Sequence, residues 1–295
     1  MSARAGERGA VAAMVLATLL WGGTFVAIRE TVRVMSPAAL VCGRFLASAA
    51  VFAIVGLVRG RAPGARELRV GLGNGVLMAG SFTLQALGLK TTSAGSSAFL
   101  TCAGTLAAAF YAWALLRQRP RASVFAGIAL ALAGSALMSL DRALHLGHGE
   151  VITLIGATLY AMQIVWIARH GEHLDPIGVV TVQAFTVGVL AAPFARGLPA
   201  ALRALDGAGW GRFAYLALAG SALAPLLQVL AQRQLSAGRI GLLFALEPVF
   251  ALVFALTLGG ERFVARWWAG AALILTAVLL VEWRAATTMR PEASR

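Results

Sequence analysis

Ser93-Ala94-Gly95 returns as Ser236-Ala237-Gly238, 143 residues further along the chain, and this repetition decides the reading of the whole sequence. In the same register Gln85 meets Gln228, Lys90 meets Arg233 and Arg119 meets Arg262. Near 140 residues Ala17-Thr18-Leu19 meets Ala157-Thr158-Leu159, Arg29 meets Arg169, and Pro37 meets Pro176 at 139. Alanine and leucine coincide cheaply in apolar sequence, so the polar and proline matches carry the weight. The chain reads as a duplication with a unit of about 140 residues.

What is duplicated is membrane-embedded. Of 295 residues, 59% are apolar and 13% charged, and the mean hydropathy is +0.81. Charges, prolines and glycines divide the chain into ten apolar segments. In the first half they run roughly from Ala10 to Ile28, Pro37 to Val58, Val70 to Leu89, Ala94 to Leu116 and Ala122 to Leu140. In the second half they run roughly from Val151 to Ala168, Ile177 to Phe194, Phe213 to Ala231, Ile240 to Leu258 and Phe263 to Val281. Each approaches the ~20 apolar residues that a helix needs to cross a bilayer, and none alternates as a barrel strand would. The fold class is all-α membrane protein, and the longest polar interruption, Arg196 to Arg212, is too short for an appended soluble domain. The first run is too long for a signal-peptide core and reads as a retained span.

A net charge of +13 suggests nucleic acid in a soluble protein, but here the arginines are scattered between apolar segments, so no nucleic-acid partner is expected. They instead set topology. With the N-terminus in the cytoplasm, fifteen cations fall inside and nine outside, and Arg44 alone lies within a span, which accounts for all 25. Both termini are therefore expected on the cytoplasmic side of the cytoplasmic membrane. The organisation expected is a first five-helix repeat over 1–140, a second over 150–284 and a cytoplasmic tail over 285–295. Because five is odd, the second repeat enters the membrane from the opposite face. Inverted repeats can exchange two conformations, which is the basis of alternating access around a central cavity.

The residues then resemble a known family. Ser236-Ala237-Gly238, Glu247-Pro248-Val249-Phe250 and Gly260-Glu261-Arg262-Phe263 look like the end of an EamA domain of the drug/metabolite transporter superfamily. Trp21-Gly22 with Phe25, and Pro37 followed by Arg44-Phe45, look like its beginning. The resemblance implies ten helices in two inverted EamA-type repeats, a cavity lined mainly by helices 1, 3, 4, 6, 8 and 9, and in many members the export of amino acids or other small metabolites. The first repeat departs from the pattern, with Gly104-Thr105 where the second has Glu247-Pro248.

Polar residues inside the spans name the candidate site. An ionisable group at mid-bilayer costs about 2.5–3.5 kcal/mol on insertion scales, so Arg44 and Glu247 each call for a partner, water or a function. Pro248 cannot donate to the carbonyl four residues back and should loosen the ninth helix, freeing carbonyls near the midplane. Gln85 and Gln228 are equivalent across the repeat and offer donors and an acceptor to a zwitterionic or polyhydroxylated solute, or to each other's helices. Trp21, Thr24, Tyr160 and Gln163 sit at matching depths in the first and sixth spans as an aromatic and hydroxyl lining. Cys42 and Cys102 fall inside apolar runs and are expected to be reduced.

No metal or other cofactor is expected. His145 and His148, or His170 and His173 with Glu172, lack a closed ligand set, and glycines 71, 73 and 75 read as close helix packing rather than a phosphate loop. The function expected is a secondary transporter that exports a small polar or amphipathic metabolite, an amino acid among the candidates. Proton coupling through Glu247 is one option, and the oligomeric state is left open. The alternatives are a nucleotide-sugar or lipid-precursor carrier, or an intramembrane enzyme. An enzyme is disfavoured because no nucleophile and base cluster within the spans.

Overall fold

The computed structural model describes residues 2–92, 94–139, 147–171, 173–258 and 265–288. Ser93, His145, Glu172 and the stretch Gly260 to Phe263 lie outside the described residues. Ten spans follow in chain order. They are α1 (Ser2–Thr31), α2 (Pro37–Val58), α3 (Ala65–Gly88), α4 (Ser97–Leu116, its helix beginning at Ala94), α5 (Ala122–Ser139), α6 (His148–His170), α7 (Pro176–Phe194), α8 (Gly207–Gln232), α9 (Ala237–Thr257) and α10 (Arg266–Thr288). Among the described residues nine are long and apolar enough to cross a membrane, and α5 is shorter, with its apolar core at Ala122–Leu137. No strand occurs among the described residues. In hydrocarbon a helix satisfies its own backbone, so continuous apolar runs take this form.

Local sequence sets the starts. Ser36 caps α2 and Asp175 caps α7, each followed by a proline whose missing N–H falls where a helix needs none. Ser36-Pro37 and Asp175-Pro176 are equivalent across the repeat, so both halves enter their second helix by the same device.

Packing shows the inversion. α1 packs on α8 and α9, and α6 packs on α3 and α4, so the first helix of each repeat is held by the third and fourth of the other. α2 pairs with α7, and α5 with α10. The repeats are interleaved rather than side by side, and small residues allow the close approach. A Cβ on Gly75 of α3 would lie 2.9 Å from the Gln183 carbonyl oxygen of α7, and one on Gly22 of α1 would lie 2.8 Å from the Ala251 nitrogen of α9. Asn74 beside Gly75 donates to Gln183 at 2.5 Å, joining α3 to α7 within the bundle.

Charges gather at the bundle end that carries the N-terminus. Arg239 at the start of α9 bridges Glu7 of α1 and Glu282 of α10, which places the beginning of the first span and the end of the last at the same end. There too Arg59 pairs with Asp175 at 3.0 Å, and Glu67 with Arg61 at 3.4 Å. At the other end Thr92 donates to Glu150 at 2.5 Å, tying the turn after α3 to the start of α6.

Three spans are broken near the middle, two of them beside a proline. α4 is interrupted at Ala107. α9 tightens into a 3-10 turn over Phe244–Leu246 just before Glu247 and Pro248, where Phe244 has lost its normal N–H partner to the proline. α8 widens into a π-helical stretch, Leu216–Leu223, before Pro225. Pro225 supplies no N–H to the turn before it, and in that turn the Gly220 and Ser221 carbonyls accept from other helices, from the Trp21 indole N–H at 2.9 Å and the Ser48 hydroxyl at 2.9 Å.

Candidate functional site

The break in α9 borders a cleft between α1, α3, α4, α6 and α9. Its lining comprises Trp21 and Thr24 from α1, and Ser81, Phe82 and Gln85 from α3. Thr101 of α4, Ala157 and Tyr160 of α6, and Phe244 and Glu247 of α9 complete it. The cavity among these side chains measures about 20 Å³, room for about one water. Gln85 lies one turn from the end of α3 and Thr24 two turns from the end of α1, so the cleft occupies the half of the bundle away from the termini.

Rings form its floor. Trp21 stacks on Phe244 with centroids 5.1 Å apart, and Tyr160 meets both edge-on, at 6.0 Å and 5.3 Å. Phe82 meets Tyr160 edge-on at 5.8 Å. Glu247 stands among them with 4% of its surface exposed, and its Oε2 has no hydrogen-bond partner. Its position on α9 follows from Pro248: the 3-10 turn ahead of the proline rotates the helix start so that the carboxylate faces the cleft.

Below the rings lies a file of amides. The Tyr160 hydroxyl donates to Gln228 Oε1 at 2.8 Å, Gln228 donates to Gln232 at 2.9 Å, and Gln232 donates to the Ile164 carbonyl at 2.8 Å. Gln232 then borders a second hollow at the terminal end, shared with Gln118, Gly171, Arg233 and Ala237. The file therefore separates the central cleft from the hollow at the terminal end and bolts α6 to α8.

Of the residues singled out in the sequence, Trp21, Thr24, Gln85, Tyr160 and Glu247 share the cleft. Gln228 does not line it and is one hydrogen bond away, through Tyr160. Gln163 is buried beside the cleft without lining it, and its Nε2 lacks a partner. Arg44 is 2% exposed and does not line the cleft, its guanidinium carbon 4.7 Å from the Phe82 ring and 5.0 Å from the Phe45 ring. No ion pair joins Arg44 to Glu247. Gln85 and Gln228, matched in sequence, differ in what they do: Gln85 reaches Thr101 only at 3.5 Å, whereas Gln228 is held from both sides.

Sequence reasoning misses Ser81, Phe82, Thr101 and Phe244. Phe82 lies three residues before Gln85, a spacing that shares a helix face, so a signal for it is present. Pro225 is likewise readable as a breaker in the eighth span. The Asn74 and Gln183 pair has no repeat partner to mark it.

Ten membrane helices in two interleaved inverted repeats, closing around a half-buried polar cleft, define a membrane transporter. The chain belongs to the EamA-like transporter family, whose model matches it twice, over residues 8–140 and 147–283. A relative from Archaeoglobus fulgidus, described as an uncharacterized transporter, is 24% identical over 271 residues, covering 92% of this chain and 85% of that protein. Among solved structures, the crystal structure of a protein matches with a TM-score of 0.76 at 19% identity over 95% of this chain and 99% of that one, a likeness of fold.

Proposed function

We propose that the protein is a secondary carrier that exports a small amphipathic metabolite across the cytoplasmic membrane by alternating access, with both termini in the cytoplasm. The observation that carries this reading is the relation of cleft to bolt. A site lined by both repeats is closed towards the terminal end by the Tyr160, Gln228 and Gln232 file, while Gln85 stands loosely held at the other. In the alternate conformation the file opens and the Gln85 side closes, as two-fold related positions exchange roles. The two repeats move against each other in this scheme, with Gly22 and Gly75 as close pivots.

Among the described residues the buried carboxylates are Glu67 and Glu247, and Glu67 is paired with Arg61. Coupling to protons, where transport uses it, therefore passes through Glu247. A carrier is also favoured over catalysis, because the Tyr160 and Thr24 hydroxyls donate to Gln228 and to the Trp21 carbonyl rather than to a base.

The test is purified protein in sealed vesicles offered a panel of radiolabelled metabolites. Saturable uptake of an unaltered solute, absent from empty vesicles and lost in Glu247→Gln, supports the carrier. Chemical conversion of a solute by detergent-solubilised protein would overturn it.

A further inference from the structure

We infer that the cleft selects an organic ammonium cation with an aromatic or apolar body, in preference to a neutral, zwitterionic or anionic solute. The inference rests on the carrier reading and names its substrate class. Three observations converge on it.

First, the lining of the cleft holds one acidic side chain and no basic one. Glu247 is almost wholly buried, Oε2 has no partner, and the buried Arg44 that packs on Phe82 is not among the lining residues. A buried carboxylate is stabilised by a cation it can contact, and the ligand is the group free to supply one. Second, the other walls are rings. Trp21, Phe82, Tyr160 and Phe244 line the same cleft, and aromatic faces attract cations as well as covering apolar carbon. Third, several hydrogen-bond donors of the lining are already committed. The Trp21 N–H goes to the Gly220 carbonyl, the Thr24 hydroxyl to the Trp21 carbonyl, the Tyr160 hydroxyl to Gln228, and the Gln85 amide towards Thr101. A ligand carboxylate entering this cleft finds only the Ser81 and Thr101 hydroxyls and the loosely held Gln85 amide, beside an acidic group. A ligand ammonium, which has donors and no acceptor, meets a free carboxylate oxygen. The same reasoning ranks a simple amine above the amino acid that carries it.

The experiment measures binding to the purified full-length protein by calorimetry at neutral pH, with four probes of similar shape: 2-phenylethylammonium, 2-phenylethanol, phenylalanine and 3-phenylpropanoate. The ammonium probe should bind at least about tenfold more tightly than each of the others, and Glu247→Gln should bring ammonium and alcohol to within about threefold. Binding of phenylalanine or 3-phenylpropanoate as tight as that of the ammonium, a preference that survives in folded Glu247→Gln, or no ammonium binding at all overturns the inference. Should Glu247→Gln fail to fold, the ranking of the four probes on the unaltered protein decides alone. Vesicle flux separates the two readings. Ammonium that binds through Glu247 yet never crosses the vesicle membrane sinks the carrier and leaves the site, whereas saturable flux of phenylalanine without ammonium binding sinks the site and leaves the carrier.

Discussion

The Tyr160 hydroxyl on α6 donates to the Gln228 side-chain oxygen on α8 at 2.8 Å, so one ring both lines the cleft and fastens the bolt beneath it. Interhelical polar bonds of this kind in membranes average about 0.6 kcal/mol and reach about 1.7. Tyr160→Phe and Gln228→Leu should each lower stability by about 1 kcal/mol, and the double variant should lose less than the sum of the two. Unfolding titrations of the four proteins check this. Strict additivity would show that the pair does not interact in the folded protein.

A second coupling crosses from α2 to α8. Ser48 donates to the Ser221 carbonyl in the turn where Pro225 supplies no N–H. Ser48→Ala should cost about 1–2 kcal/mol, because a carbonyl is left unmet in a dry interior. In a Pro225→Ala background, where the substituted residue supplies the missing N–H, the same change should cost less than half as much. Equal costs in both backgrounds, read from the same unfolding titrations, would contradict this assignment of the freed carbonyl.

The anchor at the terminal end depends on geometry as well as charge. Arg239 reaches Glu282 with two nitrogens and Glu7 with another contact, from a site 13% exposed. Lysine carries the charge without the fork. Arg239→Lys should therefore lower stability by about 1 kcal/mol and free the start of α1 to faster amide exchange. Hydrogen exchange by mass spectrometry over residues 2–14 reads the outcome, and unchanged exchange would refute the anchor.

Arg44 makes an opposite prediction. It is a buried cation held by two aromatic faces, with no ion pair among the described residues. The cation–π contacts return about 0.5–2 kcal/mol, less than the several kcal/mol that burying an ion costs. Arg44→Met should fold with equal or greater stability. A loss above about 2 kcal/mol would mean that the arginine has a strong polar partner.

The architecture is legible in the sequence because hydrocarbon leaves so few choices. Apolar run length yields ten spans, and the Ser-Ala-Gly repetition with an odd span count yields the inversion. Residues that break a rule, such as a carboxylate before a proline at Glu247 or an amide repeated at Gln85 and Gln228, point towards the cleft. What sequence does not supply is rotation about each helix. Gln228 and Gln163 are equally eligible as lining on sequence grounds, yet one bolts α6 to α8 and the other is buried beside the cleft. Likewise Arg44 and Glu247 are both costly in lipid, yet Glu247 lines the cleft and Arg44 packs on the Phe82 ring without lining it, which only the packed structure reveals.

The most direct test of the account asks whether the cleft opens to one side at a time. With Cys42 and Cys102 replaced, Ser81→Cys places a thiol in the cleft, and a membrane-impermeant thiol reagent is applied to vesicles of either orientation. Breaking the bolt with Gln228→Leu should speed labelling from the terminal side by about fivefold, as a shift of roughly 1 kcal/mol implies, and slow it from the other side. Rates that rise together from both sides would describe a continuous pore, and rates that do not change would show that the bolt is not a gate; either result contradicts alternating access through this cleft.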